Sequence, residues 1–322
     1  MTSSLFLAAA LSVCLAAIVW FALIAARAGR LAMLRRSRTG QVAAAHALVR
    51  FESDGDADAL AQAWRRVRLG ALASFAARTL PMLDEPQREA VRAALRRSGF
   101  EARTARAFSA AGEGVRLLYC ELLAETGGET GLGALDRALR DRAPAVRIAA
   151  AIALAQRQAA PALDALLATL GEAAFASSRL AILFELLLPR EERAIVAVAA
   201  DEDAAARLRL SALHALSLAG RRVHQPLLEA LAEDPQPPIA AEVARSLHQA
   251  PAVTERLLLH SAPEVRREAA RAAGRDGPAL RRSLGDRDAT VASAAARSIW
   301  MLSEGLALPA PAPAPLRIAQ RG

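Results

Sequence analysis

The stretch DRAPAVRIAAAIAL, Asp141 to Leu154, decides the fold, because the chain returns to it again and again. DEDAAARLRLSALH starts at Asp201, DPQPPIAAEVARSL at Asp234, HSAPEVRREAARAA at His260 and DRDATVASAAARSI at Asp286. Looser copies start at Ala110 (AAGEGVRLLYCELL) and Ala173 (AAFASSRLAILFEL). The starts lie 31, 32, 28, 33, 26 and 26 residues apart, a period that marks stacked supersecondary units.

Each copy follows a shorter amphipathic segment, such as Gly133 to Leu139, Ala162 to Leu167, Pro226 to Leu231 and Pro278 to Leu284. Leucines at helical spacing give each segment one apolar stripe. The unit is therefore a helix A, a turn rich in Asp, Pro or Gly, and a helix B, with the turn acid available to cap helix B and proline tolerated in its first turn. The wider composition agrees. Of 322 residues, 54% are hydrophobic but only 4% aromatic, and the apolar mass is alanine and leucine rather than strand-forming residues. The expected class is all-α, with helix pairs stacked as a solenoid over 41–304.

The Asp, then Pro-x-Val-Arg, then small residues spaced A-x-x-A-L resemble HEAT repeats, above all their short bacterial form. The resemblance covers Asp84 to Glu304, and Ala43 to Leu83 holds a degenerate first unit. It implies a binding scaffold. It also implies that the arginine six residues after the unit start bridges to the turn acid of a neighbouring unit. Asp141, Arg147, Asp201, Arg207 and Arg266 stand at such positions, with Arg116 and Arg179 in the same column and Asp234 and Asp286 as further acids. The copy at Ala173 departs by lacking both Asp and Val, and those at Asp234 and Asp286 lack the arginine.

Two columns read as core: Val115, Val146, Ile239, Val265 and Val291, and Leu123, Leu154, Leu186, Leu247 and Ile299. Eleven residues after the start comes Glu121, Ile152, Phe184, Ala212, Arg245, Arg271, Arg297. Helical phase puts this column away from the core, on the face that would line a groove. Ile152 and Phe184 are then the expected anchors for a protein partner, and Arg245, Arg271 and Arg297 the contacts to an acidic segment.

Upstream of the repeats, Leu5 to Ala26 is 22 residues without a charge, rising roughly 33 Å as a helix against a hydrocarbon core of about 30 Å. Met1-Thr2-Ser3-Ser4 has no basic side chain, unlike a secretory leader. Arg27, Arg30, Arg35, Arg36 and Arg38 follow the span, which predicts an outward amino terminus, a cytoplasmic array and contact with anionic lipid. The segments are therefore a short end (1–4), a transmembrane helix (5–26), a basic juxtamembrane stretch (27–40), the array, and a tail (305–322) whose alternating prolines forbid another helix. All 41 basic residues are arginine, which looks like the codon bias of a GC-rich bacterial genome, so the net charge of +8 says little about partners by itself.

Chemistry leaves few marks. Cys14 and Cys120 cannot build a disulfide framework or a paired-cysteine metal site. The five histidines form no H-E-x-x-H, Gly131-Leu-Gly133 lacks a third glycine, and without lysine there is no phosphate loop. The expectation is a non-enzymatic, cofactor-free scaffold in the bacterial inner membrane that binds a membrane-associated protein, such as an envelope or polysaccharide-synthesis machine. The alternative is an anchored nucleic-acid-binding or modifying protein that uses the basic end of the groove.

Overall fold

In the computed structural model the described residues are 38–220, 225–246, 251–273 and 277–304, and they are helices joined by turns and loops with no strand among them. The segments at 1–4 and 5–26, the juxtamembrane arginines up to Arg36 and the tail at 305–322 lie outside them. No described helix is long and apolar enough to cross a membrane. The chain divides into two compact units between Ala134 and Leu135, within the stretch expected to be one continuous array.

The first unit begins with α1 (38–54), then α2 (Ala57–Arg66), α3 (Leu69–Thr79), a 3₁₀ turn (Leu80–Met82), α4 (Glu85–Arg97), α5 (Phe100–Ala107) and α6 (Glu113–Thr126). Trp64 is fully buried, meets Phe75 edge-on at 6.2 Å and donates its indole N–H to the Ala44 carbonyl at 3.2 Å, which holds α1 against α2. Arg103 on α5 donates to the Trp64 and Val67 carbonyls and so ties α5 to the end of α2. The Glu101 carboxylate accepts from the Gly128 and Gly131 amides at 2.9 and 3.2 Å and so supplies the N-terminus of α7 (Glu129–Ala138) with its missing acceptor. A Cβ on Gly128 would collide with that carboxylate, which is why glycine stands there.

The second unit carries α8 (Pro144–Gln156), α9 (Leu163–Leu170), α10 (Glu172–Phe175), α11 (Leu180–Ala200), α12 (Ala206–Leu218), α13 (Gln225–Ala232), α14 (Pro237–Ser246), α15 (Pro251–Leu257), α16 (Pro263–Ala272), α17 (Pro278–Arg282), a 3₁₀ turn (Ser283–Gly285) and α18 (Ala289–Ser303). The helix-B segments α8, α11, α12, α14, α16 and α18 pack in that order, each on the next, and α9, α13, α15 and α17 pack on their own helix-B partners. α11 plays both parts. Pro189 removes a backbone donor, and Glu191 at φ −121°, ψ 23° leaves helical geometry, so residues 180–190 form a helix B and the turns after them a helix A. Val146, Ile239, Val265 and Val291 are fully buried as their column requires, whereas Val115 is 40% exposed in the first unit. Leu123 and Leu154 are buried, Leu186 and Ile299 only half-buried, and Leu247 lies outside the described residues.

The turns before the helix-B segments share one geometry. Asp141, Asp234 and Asp286 each accept, through one carboxylate oxygen, the backbone N–H two residues on, at 2.8, 2.9 and 2.9 Å, and His260 does the same through Nδ1 at 3.0 Å. The acid thus closes a turn ahead of the helix rather than capping it directly, and Asp234 and Asp286 also accept from an arginine. That arginine is the fourth residue of the helix: Arg147 in α8, Arg209 in α12 and Arg266 in α16, with Arg116 the equivalent in the first unit. Each reaches back to a carbonyl at its own turn: Ala111 for Arg116, Asp141 for Arg147, Ala199 for Arg209, and His260 with Ser261 for Arg266.

Forward, Arg266 grips Asp286 with two parallel bonds of 2.7 and 2.8 Å, and Arg209 bonds Asp234 at 2.5 Å. Arg147 meets no carboxylate and takes the Leu170 carbonyl at 2.8 Å instead, because glycine rather than Asp follows α9. Arg207 and Asp201 are not part of this ladder. Arg207 is exposed and bonds the Ala176 carbonyl, and Asp201 is exposed and accepts from the Asp203 amide. The turn after Asp201 is two residues longer than that after Asp141, which moves the role from Arg207 to Arg209. Arg179 precedes α11 rather than lying inside it.

The Arg209 and Asp234 side chains are 2% and 3% exposed, so truncating one partner strands a buried charge. Arg209→Ala is expected to lower stability by about 3–5 kcal/mol, while the double variant Arg209→Met/Asp234→Leu loses less. Denaturant unfolding of the three proteins checks this, and a double variant that is worse than the single would show that the pair does not act as a unit.

Candidate functional site

Counting each helix B from its own start changes which side chains share the outer column. The ninth position after the residue that precedes the helix is Ile152 in α8, Leu188 in α11, His214 in α12, Arg245 in α14, Arg271 in α16 and Arg297 in α18. Two of these replace sequence expectations. Phe184 and Ala212 are fully buried because α11 and α12 start later than the repeat alignment places them, so the true column members are Leu188 and His214.

Ile152 is 6% exposed, and it and Phe184 are therefore core residues with no surface to offer a partner. The column is buried at α8 and α11, half-buried at His214 and Arg245, and exposed at Arg271 and Arg297. Glu121, in the first unit, is exposed.

A second column, three residues earlier, carries Glu185, Ser211, Glu242, Glu268 and Ala294. One helical turn of separation lets each glutamate meet the arginine that follows it. Arg245 Nη2 lies 2.6 Å from Glu242 Oε2, and Arg271 Nη1 lies 3.0 Å from Glu268 Oε1. Glu242 and Glu268 are themselves buried, and they draw in further cations: His214 Nδ1 stands 3.4 Å from Glu242 Oε1, and Arg267 Nε 3.3 Å from Glu268 Oε1. At the last step Ala294 replaces the glutamate, and Arg297 has no ion pair among the described residues. Positive charge is therefore neutralised along α14 and partly along α16, and left free on α18.

One turn beyond Arg297 on the same face, Trp300 is 58% exposed, opposite the buried stripe of Val291, Ala294, Ala295 and Ser298. The arrangement presents a guanidinium and an indole side by side, which suits a carboxylate next to an apolar group. Among the described residues no three metal-ligating side chains come together, and Cys120 is buried. His46 is exposed, while His224 and His248 lie outside the described residues. No family model, characterised protein or solved structure matches the chain.

The hydrogen bond to Glu242 raises the His214 pKa above its ordinary 6.5, against desolvation and the nearby Arg245, with Glu185 on α11 adding to the rise. The bond from Arg266 lowers the Asp286 carboxyl from 3.8 to about 2, helped by the Asp288 amide. A lowered acid stabilises the fold fully above its unfolded pKa and loses that contribution as pH falls through the folded one. Asp286→Asn should thus cost stability above pH 3.8, with the gap to wild type closing toward about pH 2. Urea midpoints measured across that range decide it, and a gap that is constant with pH would rule out the ion pair as its source.

Proposed function

We propose that the chain is a membrane-tethered scaffold whose second unit is a short HEAT-like α-solenoid with a protein-docking surface along α14, α16 and α18. The observation that carries this reading is the succession of helix-B segments packed each on the next, with an arginine and turn-acid contact at two of the steps, Arg209 to Asp234 and Arg266 to Asp286, since a scaffold needs neighbouring units held in fixed register. The repeated turn, the small residues within helix B and the forward arginine support membership of the HEAT class. The chargeless 5–26 segment followed by arginines supports an inner-membrane anchor with the array on the cytoplasmic side, and anionic lipid as the partner of those arginines.

The mechanism is confinement. An anchored array raises the effective concentration of any membrane-associated protein that its surface recognises, and no catalytic group is required. The docking surface differs from the sequence expectation: its anchors are Arg271, Arg297 and Trp300, with Arg245 and His214 at its margin, while Ile152 and Phe184 are buried in α8 and α11. The glutamates that hold Arg245 and Arg271 favour a partner with a few placed carboxylates over a uniform polyanion, so protein is preferred to nucleic acid.

The test is affinity capture of the tagged full-length protein from gently solubilised native membranes, beside Arg271→Glu/Arg297→Glu and a control lacking residues 1–37. Membrane proteins retained by wild type and lost from the charge-reversed variant are expected, and the shortened control should leave the membrane fraction. Identical co-purifying proteins in wild type and charge-reversed samples, or nucleic acid alone, would exclude the scaffold reading.

A further inference from the structure

The free end of the column has a complement in the same chain. Between α1 and α2 runs Glu52-Ser-Asp-Gly-Asp-Ala-Asp58, four acids in seven residues, and no other window of that length in the sequence holds as many. All four acids are exposed. Asp56 caps α2 through the Asp58 and Ala59 amides, and Asp58 pairs with Arg97 at 3.2 Å, but Glu52 and Asp54 have neither hydrogen bond nor ion pair among the described residues. Val49, one turn before Glu52 on α1, is 63% exposed. One end of the chain therefore offers unpaired carboxylates beside an apolar side chain, and α16 with α18 offers Arg271, the unpaired Arg297 and the exposed Trp300.

We propose that the patch formed by Arg271, Arg297 and Trp300 takes the acidic 52–58 loop of a second copy of this chain. The inference rests on the docking surface named above and supplies its occupant. Charge decides between the candidate segments. Residues 1–37 and 305–322 contain no acid at all, and 305–322 adds Arg317 and Arg321, so neither of the chain's own ends complements the patch. The loop matches it in both respects, with acids to face arginines and the apolar Val49 to face an indole, and the patch itself supplies the arginine and tryptophan that dominate binding energy at interfaces.

Two copies can exchange loops reciprocally, or each can pass its loop on to a further copy, so in either arrangement the contact drives self-association of the chain. Anchoring of the copies in one membrane would favour the same contact by raising their effective concentration.

The experiment uses full-length protein in detergent, with two variants of opposite design: Arg271→Glu/Arg297→Glu, which reverses the patch, and Glu52→Arg/Asp54→Arg, which reverses the loop. Sedimentation of wild type is expected to show concentration-dependent self-association that is reversed as salt is raised. Each variant alone should associate at least about tenfold more weakly, because like charges then face each other. An equimolar mixture should recover the wild-type behaviour, since each patch again meets a loop of opposite sign.

Wild type that stays monomeric, variants that associate like wild type, or a mixture that fails to recover would each overturn the proposal. If self-association fails these tests but the patch variant still loses membrane proteins in the capture experiment, the scaffold reading stands with a different occupant. Trp300→Ser, which leaves the charges intact, should weaken association without changing its salt dependence, and unchanged affinity would remove the indole from the contact.

Discussion

An arginine at the fourth position of a helix that reaches both backward and forward is the contact on which the second unit depends. Backward, it binds a carbonyl at its own turn, and forward it binds the next turn, as Arg209 does with Asp234 and Arg266 with Asp286. Stacked helix pairs have an obvious weakness, which is that alanine-rich faces can slide. A directional, charge-assisted bond from the arginine of α8, α12 or α16 opposes that sliding in a way that apolar burial cannot. Where the next turn lacks an acid, Arg147 still spans the joint by taking the Leu170 carbonyl, which shows that the guanidinium's reach matters more than the partner's charge.

The two forward pairs are not equivalent. Arg209 and Asp234 are sealed from water, so their attraction is set against a desolvation penalty for both ions, and the pair defines register more than it adds stability. Arg266 and Asp286 keep partial contact with solvent and bind bidentately, which limits the penalty and gives a lowered Asp286 pKa. The joint nearest the chain's described end thus loses strength as its acid is protonated.

Much of this is legible in the sequence. The repeat period, the helix pairs and the arginine position at Arg147 and Arg266 come from residue spacing, because turn acids and helix starts are local signals, while the forward bridge to a turn acid, which the resemblance alone implies, is found at Arg266 and not at Arg147. Arg209 escapes a repeat counted from Asp201, since an insertion of two residues in the turn is invisible until the helix start is known. Later helix starts than the repeat alignment implies also misassign Phe184 in α11 and Ala212 in α12. A signal is present all the same: Glu242-Val-Ala-Arg245 and Glu268-Ala-Ala-Arg271 share an acid-to-arginine spacing of one helical turn, and Ala294-Ala-Ala-Arg297 breaks it. The exposure of Trp300 is not legible, since an indole packs only if a neighbouring element covers it, and spacing within one helix says nothing of its neighbours.

The outer column draws the consequences together. Near α8 and α11 its members are aliphatic and buried, so that region serves the core. Toward α18 the same helical position emerges into solvent and becomes cationic, while the compensating glutamate disappears at the last step. A repeat architecture makes such a gradient easy to build, because one position can change character from unit to unit without disturbing the joints, which lie a turn away. In Arg266 and Arg271 the two roles sit on a single helix, five residues apart: the first fixes α16 to the turn before α18, and the second faces outward. The joint, through the Arg266 bond to Asp286, therefore ties the helix that carries Arg271 to the turn that precedes the helix carrying Arg297.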